Sequence, residues 1–332
     1  MRRNLPILLA CVLLAGCGGG GDAKSDQPVE QVKPDVREEV RAAASPDPAS
    51  FPQTKGRTLQ ELADEIGGAG PRIGLAAQTF TPGENRLPFG LIAEDGRFIY
   101  GPTAVYIARD PGKKAEGPFV APADVLVTDP AYRSKQAATE GDPFAAIYAA
   151  RVPFEETGSH AIFTVTQVDG GLAAAGTQVK VVSEAADKVP DVGEAAPKVQ
   201  TDTIDSVGGN EELLDTRQPP SDTHETSFAD VVGTKPVALL FATPQLCQSR
   251  VCGPVVDVGL QLRERYGDRI EFIHQEVYED NDLQKGLREP LRAFNLETEP
   301  WLFVVGRDGR ITSRLEGSFG LGAFEDALET AL

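Results

Sequence analysis

Histidine, methionine, tryptophan and cysteine are all scarce in this chain: its 332 residues hold 3 His, 1 Met, 1 Trp and 4 Cys. Three histidines leave little material for a histidine-rich metal centre, and neither a metal site nor a cofactor is expected. Positive charge is also short, with 32 Lys plus Arg against 50 Asp plus Glu and a formal net charge of −18. Binding a phosphate backbone needs a basic face, so this balance excludes nucleic acid as a partner and reads as a well-solvated surface. The apolar run near the N-terminus, Leu5 to Leu14, falls far short of the roughly 20 residues that span a bilayer.

What is present suffices for folding. Hydrophobic residues make up 41% of the chain, enough to bury real cores. At roughly 150 residues per domain, the length suggests two domains. Arg2 and Arg3 precede the short apolar run, and Leu14-Ala15-Gly16-Cys17 closes it. Positive charge, a brief apolar stretch and then small residues describe a signal peptide. The closing tetrapeptide resembles the lipobox of bacterial lipoproteins, in which a peptidase cuts before the Cys and the Cys carries the lipid. Over residues 1–17 the resemblance implies a signal peptide at 1–16, lipidation at Cys17 and attachment to the membrane through that lipid. The mature chain is then expected on the extracytoplasmic face of the bacterial cell membrane. Cys11 leaves with the signal and Cys17 is lipidated, so only Cys247 and Cys252 remain. In an oxidising compartment two such thiols are expected to pair.

Residues 17–57 are rich in Gly, Pro, Ala and charge, with Gly18 to Gly21 followed by Pro28, Pro34, Pro46, Pro48 and Pro52, and read as a flexible tether. Residues 58–70 hold a short amphipathic helix with apolar positions 59, 62, 63 and 66, opened by a Thr58/Glu61 capping box and stopped by Gly67-Gly68. Residues 71–186 carry recurrent β-forming runs: Ile73–Phe80, Arg86–Ala93, Thr103–Ala108, Phe144–Arg151, His160–Gln167 and Gln178–Val182. Pro/Gly and Asp-Gly turn signals separate them, which argues an all-β antiparallel sandwich. The string Phe154 to Phe163 resembles the corner before a late strand in immunoglobulin-like modules, with His160 where those often have Tyr. Residues 187–226 are polar, with Pro190, Pro197, Pro219 and Pro220, and read as a linker, part of which can add an edge strand or wrap the next domain.

Residues 227–332 change character. Val237–Phe241 is a continuous apolar run, as expected of a strand buried on both faces. A helix over Val255–Tyr266, a strand at Ile270–His274, a short helix at Leu291–Phe294, strands at Trp301–Val305 and Ile311–Leu315, and a last helix from Gly320 complete an α/β order. It implies a central mixed sheet flanked by helices. Cys247 follows the first buried strand by six residues, Cys252-Gly253-Pro254 leads into the helix, and Glu299-Pro300-Trp301 opens a hydrophobic strand before an Asp308-Gly309 hairpin. Together these resemble the thioredoxin fold over about a third of the chain. The resemblance implies that Pro300 is cis, lies against the cysteine pair and shapes a substrate groove.

A Cys at a strand-to-helix junction faces backbone N–H groups and the positive end of a helix dipole, which favours the reactive thiolate. Arg250, between the cysteines, adds to this. Cys247 is therefore read as the attacking thiol and Cys252 as the resolving thiol. Thioredoxins carry two residues between their cysteines, whereas here there are four. Helical positions five apart point about 140° away from one another and rise about 7.5 Å, a geometry no disulfide spans, so Cys247 must lie in the loop. In a second register Cys252-Gly253-Pro254-Val255 replaces the Cys-Gly-Pro-Cys motif and Cys252 becomes the exposed thiol. Glu299, beside Pro300, raises a nearby thiol and opposes Arg250. His160, His224 and His274 read as satisfied structural residues, and Asp280-Asn281-Asp282 lacks the offsets of a calcium loop.

Sequence therefore supports a membrane-anchored thiol–disulfide oxidoreductase whose partners are exported protein thiols or a redox partner protein. The alternatives are a non-catalytic binding or scaffold lipoprotein with a structural disulfide, and a copper chaperone of the cytochrome-oxidase-assembly type. That type shares the fold and adds a distant His to two Cys, but at a different cysteine spacing.

Overall fold

The computed structural model describes residues 29–67, 70–137, 144–247 and 251–332. Cys17, its lipobox and Arg250 lie outside the described residues. Among the described residues no helix is long and apolar enough to cross a membrane.

Helix α1 (Arg37–Ala43) and two short 3₁₀ turns precede α2 (Leu59–Ile66), which opens on the Thr58/Glu61 capping box. Val29, Val32, Val40 and Ala43 are buried in the core of the following β-unit, and Phe51 packs with Leu59, Leu62 and Tyr106. The expectation of a free tether over 17–57 is therefore corrected for residues 29–57. Its Pro- and charge-rich composition hid a sparse series of apolar residues, each of which finds a place on a sheet.

Eight strands follow: β1 (Arg72–Leu75), β2 (Gly83–Ile92), β3 (Thr103–Ala108), β4 (Glu116–Val120), β5 (Ala123–Val125), β6 (Ala146–Phe154), β7 (Gly158–Val168) and β8 (Gly171–Val181). They form two four-stranded sheets, β1-β2-β6-β5 and β4-β3-β7-β8, with every pairing antiparallel. Asp169 and Gly170, both at positive φ, make the tight β7–β8 turn. The short β4 and β5 escaped the sequence reading because Gly117, Pro118 and Pro122 carry turn signals there.

The C-terminal unit comprises α3 (Glu211–Leu214), α4 (Phe228–Val231), β9 (Val237–Phe241), α5 (Cys252–Tyr266), β10 (Glu271–Gln275), α6 (Glu289–Ala293), β11 (Trp301–Val305), β12 (Ile311–Glu316) and α7 (Leu321–Glu329). Its sheet runs β10-β9-β11-β12. Strands β9 and β10 are parallel, and β11 is antiparallel to both its neighbours. This is the strand order and direction of a thioredoxin-like fold. Strands β9 and β11 are buried at every position. One face carries Val255, Val258 and Leu262 of α5 and Phe324 of α7, and the other Phe228, Leu291 and Phe294. Covering both faces is what demands unbroken apolar runs rather than alternation.

The expected linker 187–226 is not a free connection. Gly193 N donates to Ile311 O and Ile311 N to Glu194 O, which places this stretch beside β12. Further on, Thr201, Asp215, Arg217, Thr223 and His224 are buried. Thr216 bonds Glu276 through N and Oγ1, and Arg217 Nε meets Asp257 Oδ1 of α5 at 2.8 Å. The segment wraps the C-terminal unit largely with hydrogen bonds, joined by a few apolar contacts through Val199 and Leu214, so its polarity masked its burial.

The two units are joined through polar contacts as well. Asp124 of β5 accepts from Gly320 N, Gly322 N and Ala323 N at 2.7–3.2 Å, capping α7 across the junction. A Cβ on Gly320 would lie 2.3 Å from Val125 O, so this approach requires glycine. Glu316 accepts from Gln78 N and Thr79 N, and Ser134 donates to Asp257.

Candidate dithiol site

Strand β9 delivers the chain into Ala242-Thr243-Pro244, where the backbone turns. Cys247 N–H donates to Thr243 O at 3.1 Å, which closes that turn. Gln245 N–H donates to Thr216 Oγ1 at 3.0 Å, so the wrapping segment also holds the loop. Cys252 is the first residue of α5 and Pro254 its third, where a missing N–H costs the helix nothing. Gly253 abuts the β5–β6 connection, since a Cβ there would meet Gln136 O at 3.1 Å.

The two cysteines differ in access. Cys247, in the loop, is half-buried, and Cys252 is buried. The second register, which needs Cys252 as the exposed thiol, is corrected by this burial. The two sulfurs lie within 4.8 Å of each other and of a Glu299 carboxylate oxygen. Burial first, then the hydrogen bond with Cys247 and its charge, holds the Cys252 thiol well above the usual range; a backbone hydrogen bond at Thr243 opposes this. A buried thiol of this kind stays protonated until a partner takes its proton.

Glu299 arrives at the turn into β11, whose first residue, Trp301, pairs with Phe241 at the end of β9. The Glu299–Pro300 peptide is cis, and Pro300 O accepts from Gly317 N at 2.8 Å. Burial, and after it the Cys247 thiolate, pushes the Glu299 carboxyl up to about 7. Tyr278 is also raised, by burial first and then by Glu299, Cys247 and Cys252. Trp301 donates from Nε1 to Thr298 Oγ1 at 2.9 Å and stacks on Phe303, bracing the same turn. A cleft of about 330 Å³ opens beside the site, with Val251, Thr298 and Glu299 on one wall and Leu75, Ala76 and Phe98 of the β-unit on the other.

Cys247 and Cys252 on one segment and Glu299 and the Pro300 turn on another, distant in sequence, thus come together. Tyr278 and Thr243 belong to the same surroundings and were not singled out from the sequence, because neither stands in a chemical motif. His274 does not join the cysteines. It lies with Asp215 and His224 in a separate buried group, which removes the histidine that a copper-chaperone reading needs.

No family model and no curated protein matches the chain. Among solved structures, it is similar to a thiol:disulfide interchange protein DsbE from Chlorobium tepidum, with 16% identity over 43% of this chain and 98% of that one, at a TM-score of 0.32. A thioredoxin-family thiol:disulfide interchange protein from Chlorobium tepidum TLS gives 17%, 44% and 99%, at 0.29. A thioredoxin-like superfamily protein gives 11%, 32% and 85%, at 0.28. These likenesses are slight and concern part of the chain, whereas the thioredoxin-like arrangement of β9 to β12 is read from the strand order itself.

Proposed function

We propose that the chain is a membrane-anchored extracytoplasmic thiol–disulfide oxidoreductase acting through Cys247 and Cys252. It would be held to the membrane by lipid on Cys17, with an immunoglobulin-like β-unit alongside the redox domain. The observation that carries this reading is the unequal access of two thiols within 4.8 Å of each other at the strand-to-helix turn, beside the Glu299–Pro300 loop.

In the reducing direction, the Cys247 thiolate attacks one sulfur of a substrate disulfide. A Cys247–substrate disulfide forms and one substrate thiolate leaves. Cys252 then gives up its proton and attacks Cys247 Sγ, closing the intramolecular disulfide and expelling the second substrate thiolate. Two electrons pass from the protein dithiol to the substrate, and the reverse sequence oxidises a substrate dithiol. Glu299, titrating near neutrality and within reach of both sulfurs, supplies a carboxylate able to take the Cys252 proton. The cleft shared by the Pro300 turn and the β-unit offers room for an extended segment of an exported protein.

The test is the reduction potential of the pair, measured by equilibration with glutathione or dithiothreitol buffers and trapping of free thiols. A potential between about −120 and −270 mV, the range of exchange catalysts, is expected. A value well below about −300 mV, with no mixed disulfide formed, would make the bridge structural and the chain a binding or scaffold lipoprotein.

A further inference from the structure

The wrapping segment and the sheet meet in a second cluster, apart from the cysteines. Asp215 and His224 come from residues 187–226, and His274 from β10. All three are buried, and one donor atom from each lies within 4.8 Å of the others. His274 donates from Nε2 to Ala242 O at 2.9 Å. A carbonyl only accepts, so Nε2 carries a proton, and Nδ1 faces Asp215 Oδ2 at 3.6 Å, beyond hydrogen-bond distance.

His224 Nε2 stands 3.3 Å from the same Asp215 oxygen, and its Nδ1 is buried without a partner. Both separations exceed the roughly 2.7–2.9 Å of a charge-assisted hydrogen bond. They match the edge of a coordination tetrahedron, which is about 3.3 Å for bonds of about 2.0–2.1 Å. The surroundings resemble a ligand shell too. The His274 Nε2–H bond to a backbone carbonyl fixes the tautomer that ligation needs, and Asp215 is oriented by Arg217 N at 2.8 Å and by Ser221 N and Oγ at 2.7 Å.

We propose that Asp215, His224 and His274 form a binding site for a divalent transition metal, zinc by the nitrogen and oxygen donors it offers. The ion, displacing the protons these atoms otherwise share, lies among one donor atom of each residue and staples the wrapping segment to β10. The site is separate from the thiols, and its existence does not depend on the redox reading. It revises the assignment of His224 and His274 as satisfied structural residues.

The experiment uses the full chain in detergent with Cys247 and Cys252 both replaced by Ser, so that thiolate ligation is absent. After zinc is added and the excess removed, elemental analysis should find one equivalent retained. Cobalt should give the visible bands of a tetrahedral site, and the melting temperature should rise with zinc. His224→Gln and Asp215→Asn should each weaken zinc binding more than about 100-fold, beyond the 10–100-fold typical of outer-shell changes. Absence of stoichiometric zinc in the doubly substituted chain overturns the proposal whatever the further variants do. Zinc binding indifferent to both further substitutions overturns it as well.

Discussion

Replacing Glu299 by Gln removes one charge from beside Cys247 and leaves the shape of the site nearly unchanged. The carboxylate oxygen and Cys247 Sγ are within 4.8 Å. Two unit charges at that distance repel by about 0.9 kcal/mol at a dielectric of 80 and about 3.5 kcal/mol at 20. At about 1.4 kcal/mol per pKa unit, this amounts to roughly 0.6 to 2.5 units. Cys247 is only half-buried, so water screens the pair and the expected change lies toward the lower end, about one unit. Glu299→Gln should therefore lower the Cys247 pKa by about one unit, read as the midpoint of iodoacetamide alkylation against pH. Below both midpoints the thiolate fraction rises about tenfold, while intrinsic nucleophilicity falls about threefold at a Brønsted coefficient of 0.4–0.5. The net expectation is a threefold faster reaction at a fixed pH above about 7, where Glu299 is ionised, and below both Cys247 midpoints, with no difference at acidic pH, where Glu299 is neutral. The wild-type profile should also show an inflection near 7, where Glu299 itself titrates, and the variant should lack it. An unchanged midpoint, or an inflection near 7 that survives the substitution, would refute the electrostatic coupling.

Cys252→Ser should trap a mixed disulfide through Cys247 that non-reducing gels detect, and Cys247→Ser should trap none; trapping through Cys252 alone would invert the assigned roles. Asp124→Ala strips three N–H groups of α7 of their acceptor and leaves Arg86, whose burial lowers it to about 10, without its opposing charge. Urea unfolding should register a loss of about 3–5 kcal/mol, and a loss below 1 kcal/mol would deny that the cap holds the two units together. Gly320→Ala forces a Cβ to within 2.3 Å of Val125 O and should cost about 1–3 kcal/mol in the same measurement. Stability should also fall with rising pH between about 4.5 and 7. The native state keeps the Glu299 proton through that window while the unfolded chain has lost it. Because Glu299 is partly exposed, its share should be only about 1 kcal/mol, and denaturation of Glu299→Gln over the same window should show a decline smaller by that amount, the rest coming from buried Asp257, raised to about 6.

How much of this was legible depended on what each segment uses to hold its place. The runs at Val237–Phe241 and Trp301–Val305 announced central strands because burial on both faces admits only apolar side chains, and the structure buries all ten of those positions. The helix starting near Cys252 was legible in outline from Pro254, which only a first turn tolerates. Glu299 stood out because a carboxylate beside the proline of that loop is an unusual neighbour for a thiol. Residues 201–224 gave no such signal. Asp215, Arg217 and His224 are buried through pairing with Asp257, Ser221 and His274. A polar residue buried by pairing looks in sequence like one dissolved in water, because what buries it is a partner tens of residues away. The same holds for Asp124, one acidic residue among 50 Asp and Glu, yet the one that caps a helix of the other unit. Periodicity reports burial of apolar faces and is silent about burial by hydrogen bonds. Much of the junction and of the wrap is built from such bonds, so it emerges only when the partners are brought together. The dithiol was visible because its chemistry is written in two cysteines five positions apart, whereas its setting, with one sulfur half-buried, the other buried and the Glu299 carboxylate beside both, comes from segments distant in sequence.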